Sequence, residues 1–558
     1  MPDLARLLKD LEDKRTICGP DAARDKLAVI AALGRARFPR VEQVLRFHEV
    51  LCFIRAYPDS CAVLRAAESA LRRFEQRPDF RRHRAALADT GIAGTDLYFR
   101  FYWLTASWAV NRWPGALEID WEQFDQPDKL EEVLHLLATY TESPALDTFA
   151  LPVREWIDQL KSPRETDASF VIRRFQRMKV DPAVREQMYD AIDIPLVLRP
   201  GKTTPNRTRE RWATGPIVHR NRPLDTARPN LPEAITGTRM SVRPVGPSQG
   251  RQLIELANRC MVPRHRDLCA FLHADERDVR LVDFGDGLVF ACMGVRPQHR
   301  LMLEAVYAFL TLNNGVPIGY VLSSAFFNSA EVAYNVFETF RGGEAARNYG
   351  RLLAMVHRFF GADSFAVDPY QLGHDNAEGQ ASGAWWFYYK LGFRPRDPHV
   401  KKLVREELAA MKRDPKHRTA PKRLNEMAGA YMFLHLGPRR PDVLGEISLG
   451  NIGLRASALL ARRGGSDREG ALAQCADEAA HLLGVRSRRG WSAGEREAWM
   501  RWSPLALALP GVKRWNSADR RALGEVMRAK GARRESDYVR LFDRHTRLRS
   551  ALLRLARD

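Results

Sequence analysis

The stretch EVAYNVFETFRGGEAARNYGRLLAMVHRFFG, residues 331–361, decides how the middle of this 558-residue chain folds. Val332, Tyr334 and Val336 alternate with Ala333, Asn335 and Phe337, and both sets are mostly apolar. Such a strand is buried on both faces, as in the middle of a mixed sheet. Arg341-Gly342-Gly343 then turns the chain into a helix from about Glu344 to Phe360. Its inner face is Tyr349, Leu352, Leu353, Val356 and Phe360, and Gly361 stands at the stop position. A strand feeding a glycine turn and then a helix leaves the first helical N–H groups pointing outward, where the helix dipole adds positive charge. That corner suits a phosphate group, and glycine lets a ligand approach the main chain. Taken alone, a Gly-Gly bend before a helix is usually just a turn.

Outward from this unit the pattern remains one of strands and helices. DVRLVDFG (278–285) and GLVFACMGV (287–295) are β-type runs joined at Gly285-Asp286-Gly287, a hairpin signature. The spacing predicts a helix from Gln298 to about Leu312 and a strand over VPIGYVLSSAFF (316–327). Another strand is expected at SFAVDPY (364–370), then a helix from Glu378 to Leu391. The expected class is α/β, a mixed sheet with flanking helices over 238–400, preceded and followed by mainly α-helical regions. GAWWFYYKLGFRP (383–395) closes the last helix and leads into a short strand.

With both segments in view, residues 316–395 resemble the GNAT superfamily of acyl-CoA-dependent N-acyltransferases. In that family a strand precedes an Arg/Gln-x-x-Gly-x-Gly/Ala loop and helix, and a later helix ends in a motif like Ala-x-x-Phe-Tyr-x-Lys-Leu-Gly-Phe. Ala384, Phe387, Tyr388, Lys390, Leu391, Gly392 and Phe393 match the closing motif position for position. The resemblance implies a GNAT-like sheet in which strands 331–338 and 364–370 splay around a pantetheine arm, with Val336 and Phe337 beside it. Arg341, Gly342, Gly343, Glu344, Ala345 and Ala346 would cradle the pyrophosphate of acetyl-CoA or another acyl-CoA. Tyr388 would be general acid toward the departing thiolate, and Glu331 general base for an amine acceptor, often through water, with no metal. Two positions depart from the pattern. Glu344 stands where the loop usually has Gly, and Ala381 where many members have Asn, with Asn376 five residues upstream. The same fold also serves aminoacyl-tRNA-dependent transferases, and a degenerate copy would be a binding or scaffold domain.

The flanks read differently. Residues 1–197 are predicted helical, with Val44, Leu45, Phe47, His48, Leu51, Cys52 and Ile54 on one buried face and a helix starting at Thr95 and running to Trp113. Pro205, Pro216, Pro223 and Pro229 mark 198–237 as a basic linker that lies against an acidic surface. Residues 401–558 carry 34 Lys and Arg against 18 Asp and Glu, a net of +16 out of +20 for the chain. That basic helical region either faces an anionic partner, RNA or an acidic protein, or fills solvated helix faces. Its last helix, Tyr538 to Leu555, has an apolar stripe on one side and Arg on the rest.

Seven scattered cysteines without a CxxC pair predict a reducing cytoplasm. No apolar run is long enough to span a bilayer, and the first residues lack a signal-peptide core, so neither a membrane span nor secretion is expected. Cys260, His265, Cys269 and His273 fit no standard zinc spacing, and His374-Asp375 marks a polar loop.

Overall fold

The computed structural model describes residues 4–213 and 215–557. They fall into two units. One takes in 1–224, 252–272 and 313–317, and the other 225–251, 273–312 and 318–558.

In the first unit, helix Val41–Ala56 is buried along its length, and Phe38, Phe47, Phe74 and Phe80 pack as a ring cluster. A second core holds Trp103, Trp113, Trp156, Phe170, Phe175 and Tyr189. It packs on a three-stranded sheet ordered Leu97–Phe99, Leu196–Leu198, Leu117–Ile119. The helix expected from Thr95 to Trp113 is therefore a strand followed by the shorter helix Trp103–Val110. Of the stretch expected as a linker, 198–224 is seated on this unit, while 225–237 belongs to the other and holds the helix Leu231–Gly237. Arg207, Arg209 and Arg211 pair with Glu49, Glu75 and Glu68, and Thr208 bonds His48 Nε2 and the Ala93 amide. A segment without helix or ladder must satisfy its polar groups through neighbours, and these side chains do so.

The second unit is built on a nine-stranded mixed sheet. We label its strands β1 (Ser241–Pro244), β2 (Ala274–Asp283), β3 (Leu288–Val295), β4 (Ala305–Asn313), β5 (Val316–Phe326), β6 (Ser329–Val336), β7 (Ser364–Val367), β8 (Arg394–Pro395) and β9 (Met432–His435). The order across the sheet is β8-β9-β7-β6-β5-β4-β3-β2-β1. β5 and β6 form a full antiparallel hairpin, and a Cβ at Gly319 would stand 2.3 Å from the Asn335 carbonyl oxygen. β7 runs parallel to β6, and β9 is antiparallel to both β7 and β8. The sheet thus draws its β9 strand from beyond residue 400.

Helix α1 (Ala345–Phe360) crosses from β6 to β7, with Tyr349, Leu352, Leu353, Val356 and Phe360 buried as the sequence predicts. Gly361 stops it at φ 69°. The segment expected as one helix, Glu378 to Leu391, is split into α2 (Ala377–Ala381) and α3 (Ala384–Lys390) by Gly383 at φ 72°. That left-handed backbone interrupts any helix. The predicted helix from Gln298 to Leu312 is instead a short turn and β4. A continuous apolar run buried on both faces carries no period that separates strand from helix, and the Asn314-Gly315 turn that follows is what marks it. The C-terminal segment likewise divides, into α4 (Glu535–Arg544) and α5 (Thr546–Arg557), whose apolar stripes are buried.

A closed polar cluster sits inside this unit. Tyr307 Oη on β4 donates to Asp278 Oδ2 on β2 at 2.5 Å and accepts from the Ser536 amide at 3.1 Å. Gly294 on β3 makes room for it, since a Cβ there would lie 2.2 Å from Asp278 Oδ2.

Candidate functional site

The site begins where two neighbouring strands part. β6 and β7 pair only at Ser329–Ser364, Ala330–Phe365 and Glu331–Ala366. β6 then continues to Val336 along β5, while β7 ends at Val367 and turns into Asp368-Pro369. The edge of β6 from Val332 onward has no strand beside it on that side. A cleft of about 240 Å³ opens there, lined by Tyr334, Asn335 and Val336 of β6, by Arg341, Gly342 and Ala345, and by Gln371, Asn376, Ala384, Phe387 and Tyr388 among others.

The turn into α1 has the form read from the sequence. Gly342 takes φ 87°, a conformation that favours glycine, and the Gly343 amide closes the turn onto the Phe340 carbonyl. Asn348 N bonds the Glu344 carbonyl, so the amides of Ala345 to Arg347 form the opening turn of the helix. Glu344, the departure from the family loop, is only 3% exposed. Its carboxylate accepts from Arg347 Nη1 at 2.9 Å and from the Asp225 amide at 3.4 Å. Its charge is thereby paired with Arg347, and it does not line the cleft. Arg341 reaches across the cleft mouth to Glu378 on α2, Nη2 to Oε1 at 2.6 Å.

Tyr388 is 2% exposed and packs edge-on against Tyr349, which in turn packs on Tyr334. Its Oη accepts from Gln371 Nε2 at 3.2 Å, and the same amide donates to the Tyr334 carbonyl at 2.9 Å. Burial pushes the phenol's pKa up, and the Gln371 bond partly offsets this. Because its oxygen accepts from Gln371, the phenol keeps its own proton to donate.

Glu331 lies at the last paired position of the β6–β7 ladder and is half-buried. Burial and the nearby charge of Asp368 push its pKa from the ordinary 4.5 to about 7, against a hydrogen bond from Tyr431 Oη at 3.2 Å. The alternation of β6 puts Glu331 and Tyr334 on opposite faces. Tyr334 faces α1 and Tyr388, so Glu331 lies on the opposite face of β6 from Tyr388 and is not among the residues that line the cleft.

Of the residues singled out from sequence, the structure gathers Val336, Arg341, Gly342, Ala345 and Tyr388 around the cleft. Phe337 is a core residue against Tyr320, and Gly343, Glu344 and Ala346 shape the turn without lining the cleft. Leu391 and Phe393 of the closing motif are likewise buried packing residues, and Gly392 turns at φ 102°. Sequence reasoning missed Gln371, Glu378 and Tyr431. The signal for Gln371 was Asp368-Pro369, an N-cap and helix start three residues before it. Glu378 and Tyr431 carried no local signal. His374 is held by the Asn425 carbonyl at 3.1 Å.

Among the described residues no group of three or more His, Cys, Asp or Glu side chains could hold a metal ion, and no helix is long and apolar enough to cross a membrane. No protein-family model, curated protein or solved structure matches the chain.

Proposed function

We propose that the second unit is an acyl-CoA-dependent N-acyltransferase that moves an acetyl or other acyl group to an amine. The observation that carries this reading is the parting of β6 and β7 directly over the opening turn of α1, with Tyr388 in the cleft so formed. The edge of β6 beyond Glu331, with no strand beside it, offers main-chain groups to the amides of a pantetheine arm, as an added strand would, once Gln371 gives up the Tyr334 carbonyl it holds. The amides of Ala345 to Arg347, aided by the helix dipole, suit a diphosphate, and Arg341 would exchange Glu378 for it. The thioester supplies an activated acyl carbon. Glu331, with a pKa near neutrality, takes the proton the amine must lose, through water. Tyr388 gives its proton to the departing thiolate, and the Gln371 N–H supports the charge left on its oxygen.

Calorimetry with acetyl-CoA, longer acyl-CoAs and free CoA tests the reading. Saturable heat is expected from the wild-type chain and none from Gly342→Val with Gly343→Val. Absence of heat with all three ligands abandons it. The Arg341–Glu378 pair favours a second reading, a domain of this shape that binds a partner without turnover, because its arginine already holds a carboxylate. Acyl-CoA binding with no product from any amine would support that version.

A further inference from the structure

A second cleft lies far from the strand opening in sequence, within the basic region. Pro510, Gly511, Arg514, Trp515, Thr546, Arg547, Ser550 and Arg554 line a groove of about 600 Å³. Three arginines, a serine and a threonine therefore line one space. Arg547, Ser550 and Arg554 recur at i, i+3 and i+7, so they form one stripe of α5, while Leu548, Ala551, Leu552 and Leu555 bury the other side. The helix carries Arg547, Arg549, Arg554 and Arg557 and no acidic residue over Thr546–Arg557. The turn Val512–Arg514 adds Lys513 and Arg514, again without an acid. Asp519 is the carboxylate that approaches, and it pairs with Arg547 at 2.8 Å. Among the described residues no acidic side chain pairs with Arg514 or Arg554.

Like charges gathered in a groove raise its potential and concentrate a multivalent anion there. Arginine's planar fork matches phosphate oxygens two at a time, and the serine and threonine hydroxyls add further donors. Arg547 and Arg554 lie about 10 Å apart along the helix axis, farther than one phosphate reaches. Arg514, from the turn Val512–Arg514, adds a third cation to the lining. A single inorganic phosphate leaves most of this surface unmatched, whereas several linked phosphates engage all of it. We propose that this groove binds a ligand carrying a chain of phosphates, from a polynucleotide backbone or a free polyphosphate. Its separation in sequence from the acyl-transfer residues makes the inference independent of that reading.

The test uses the full chain with two probes, a fluorescein-labelled single-stranded RNA 12-mer followed by anisotropy and tripolyphosphate followed by calorimetry. Binding of at least one is expected at low salt, weakening steeply as salt rises. Arg514→Glu with Arg554→Glu should weaken it at least tenfold and lower the log K against log salt slope for RNA by about 1.4, at roughly 0.7 for each phosphate no longer neutralised. A control pair, Arg462→Glu with Arg468→Glu, removes two exposed arginines elsewhere in the basic region and should change affinity less than threefold. Tripolyphosphate binding without RNA binding identifies a free polyphosphate as the source, and the reverse identifies a polynucleotide. Failure of both probes at low salt, or equal loss in the groove and control variants, overturns the proposal.

Discussion

Two buried tyrosines of the second unit make an instructive pair. Tyr307 and Tyr388 are both inside the fold, and burial raises the pKa of both phenols. Tyr307 spends its proton on Asp278 and its lone pair on the Ser536 amide, in a closely packed interior. Tyr388 accepts from Gln371 and borders a cleft. Burial and a shifted titration are common to a structural and a candidate catalytic group. What separates them is whether the hydroxyl proton is already committed.

The sharpest way to break that contrast is to remove each hydroxyl. Tyr388→Phe should fold normally and lose about 10²-fold in turnover, the low end of what a general acid contributes. Steady-state assays with acetyl-CoA read it, and unchanged turnover would erase the distinction. Tyr307→Phe should do the reverse. It leaves the Asp278 carboxylate and the Ser536 amide short of a partner, costing about 1–3 kcal/mol in urea unfolding with turnover of the folded protein unaltered. Gly342→Ala sharpens the cleft side. A φ of 87° strains a residue with a Cβ, so a loss of about 1–2 kcal/mol is expected, together with weaker acetyl-CoA binding.

A pH-dependent effect concerns Glu331. Its folded pKa lies above its unfolded value, so between 4.5 and about 7 the folded state binds more protons than the unfolded one. Stability from this residue is therefore retained below 4.5 and lost as pH rises to about 7. Glu331→Gln should match the wild type in thermal unfolding at pH 4 and gain on it progressively up to pH 7. A constant offset across that range would remove the raised titration from the argument.

The strand–turn–helix unit was legible because its signals are local. Alternating apolar residues, two glycines and a 3.6-residue stripe placed β6 and α1 within two residues of their observed starts. β4 was misread because its run is apolar on both faces. The break at Gly383 stands directly before a motif whose match rewards Phe387, Tyr388 and Phe393, residues that are chiefly packed against Tyr349. The site's polar partners were the least legible part. Arg341 meets Glu378 across 37 residues and Glu331 meets Tyr431 across 100, so neither pair leaves a trace in spacing. Such pairings follow only from how the strands, turns and helices of the unit are brought together.

The placement of β9 carries a consequence for how the chain is made. Met432–His435 is wedged between β7 and β8, both of which leave the ribosome earlier. Until that late segment emerges, the nascent sheet holds an open seam on its β7 side, and the two-residue β8 has nothing to pair with. A gene truncated at residue 400 would freeze that seam in place, so the sheet-bearing part of the protein can be cut out only with the residues through His435 attached.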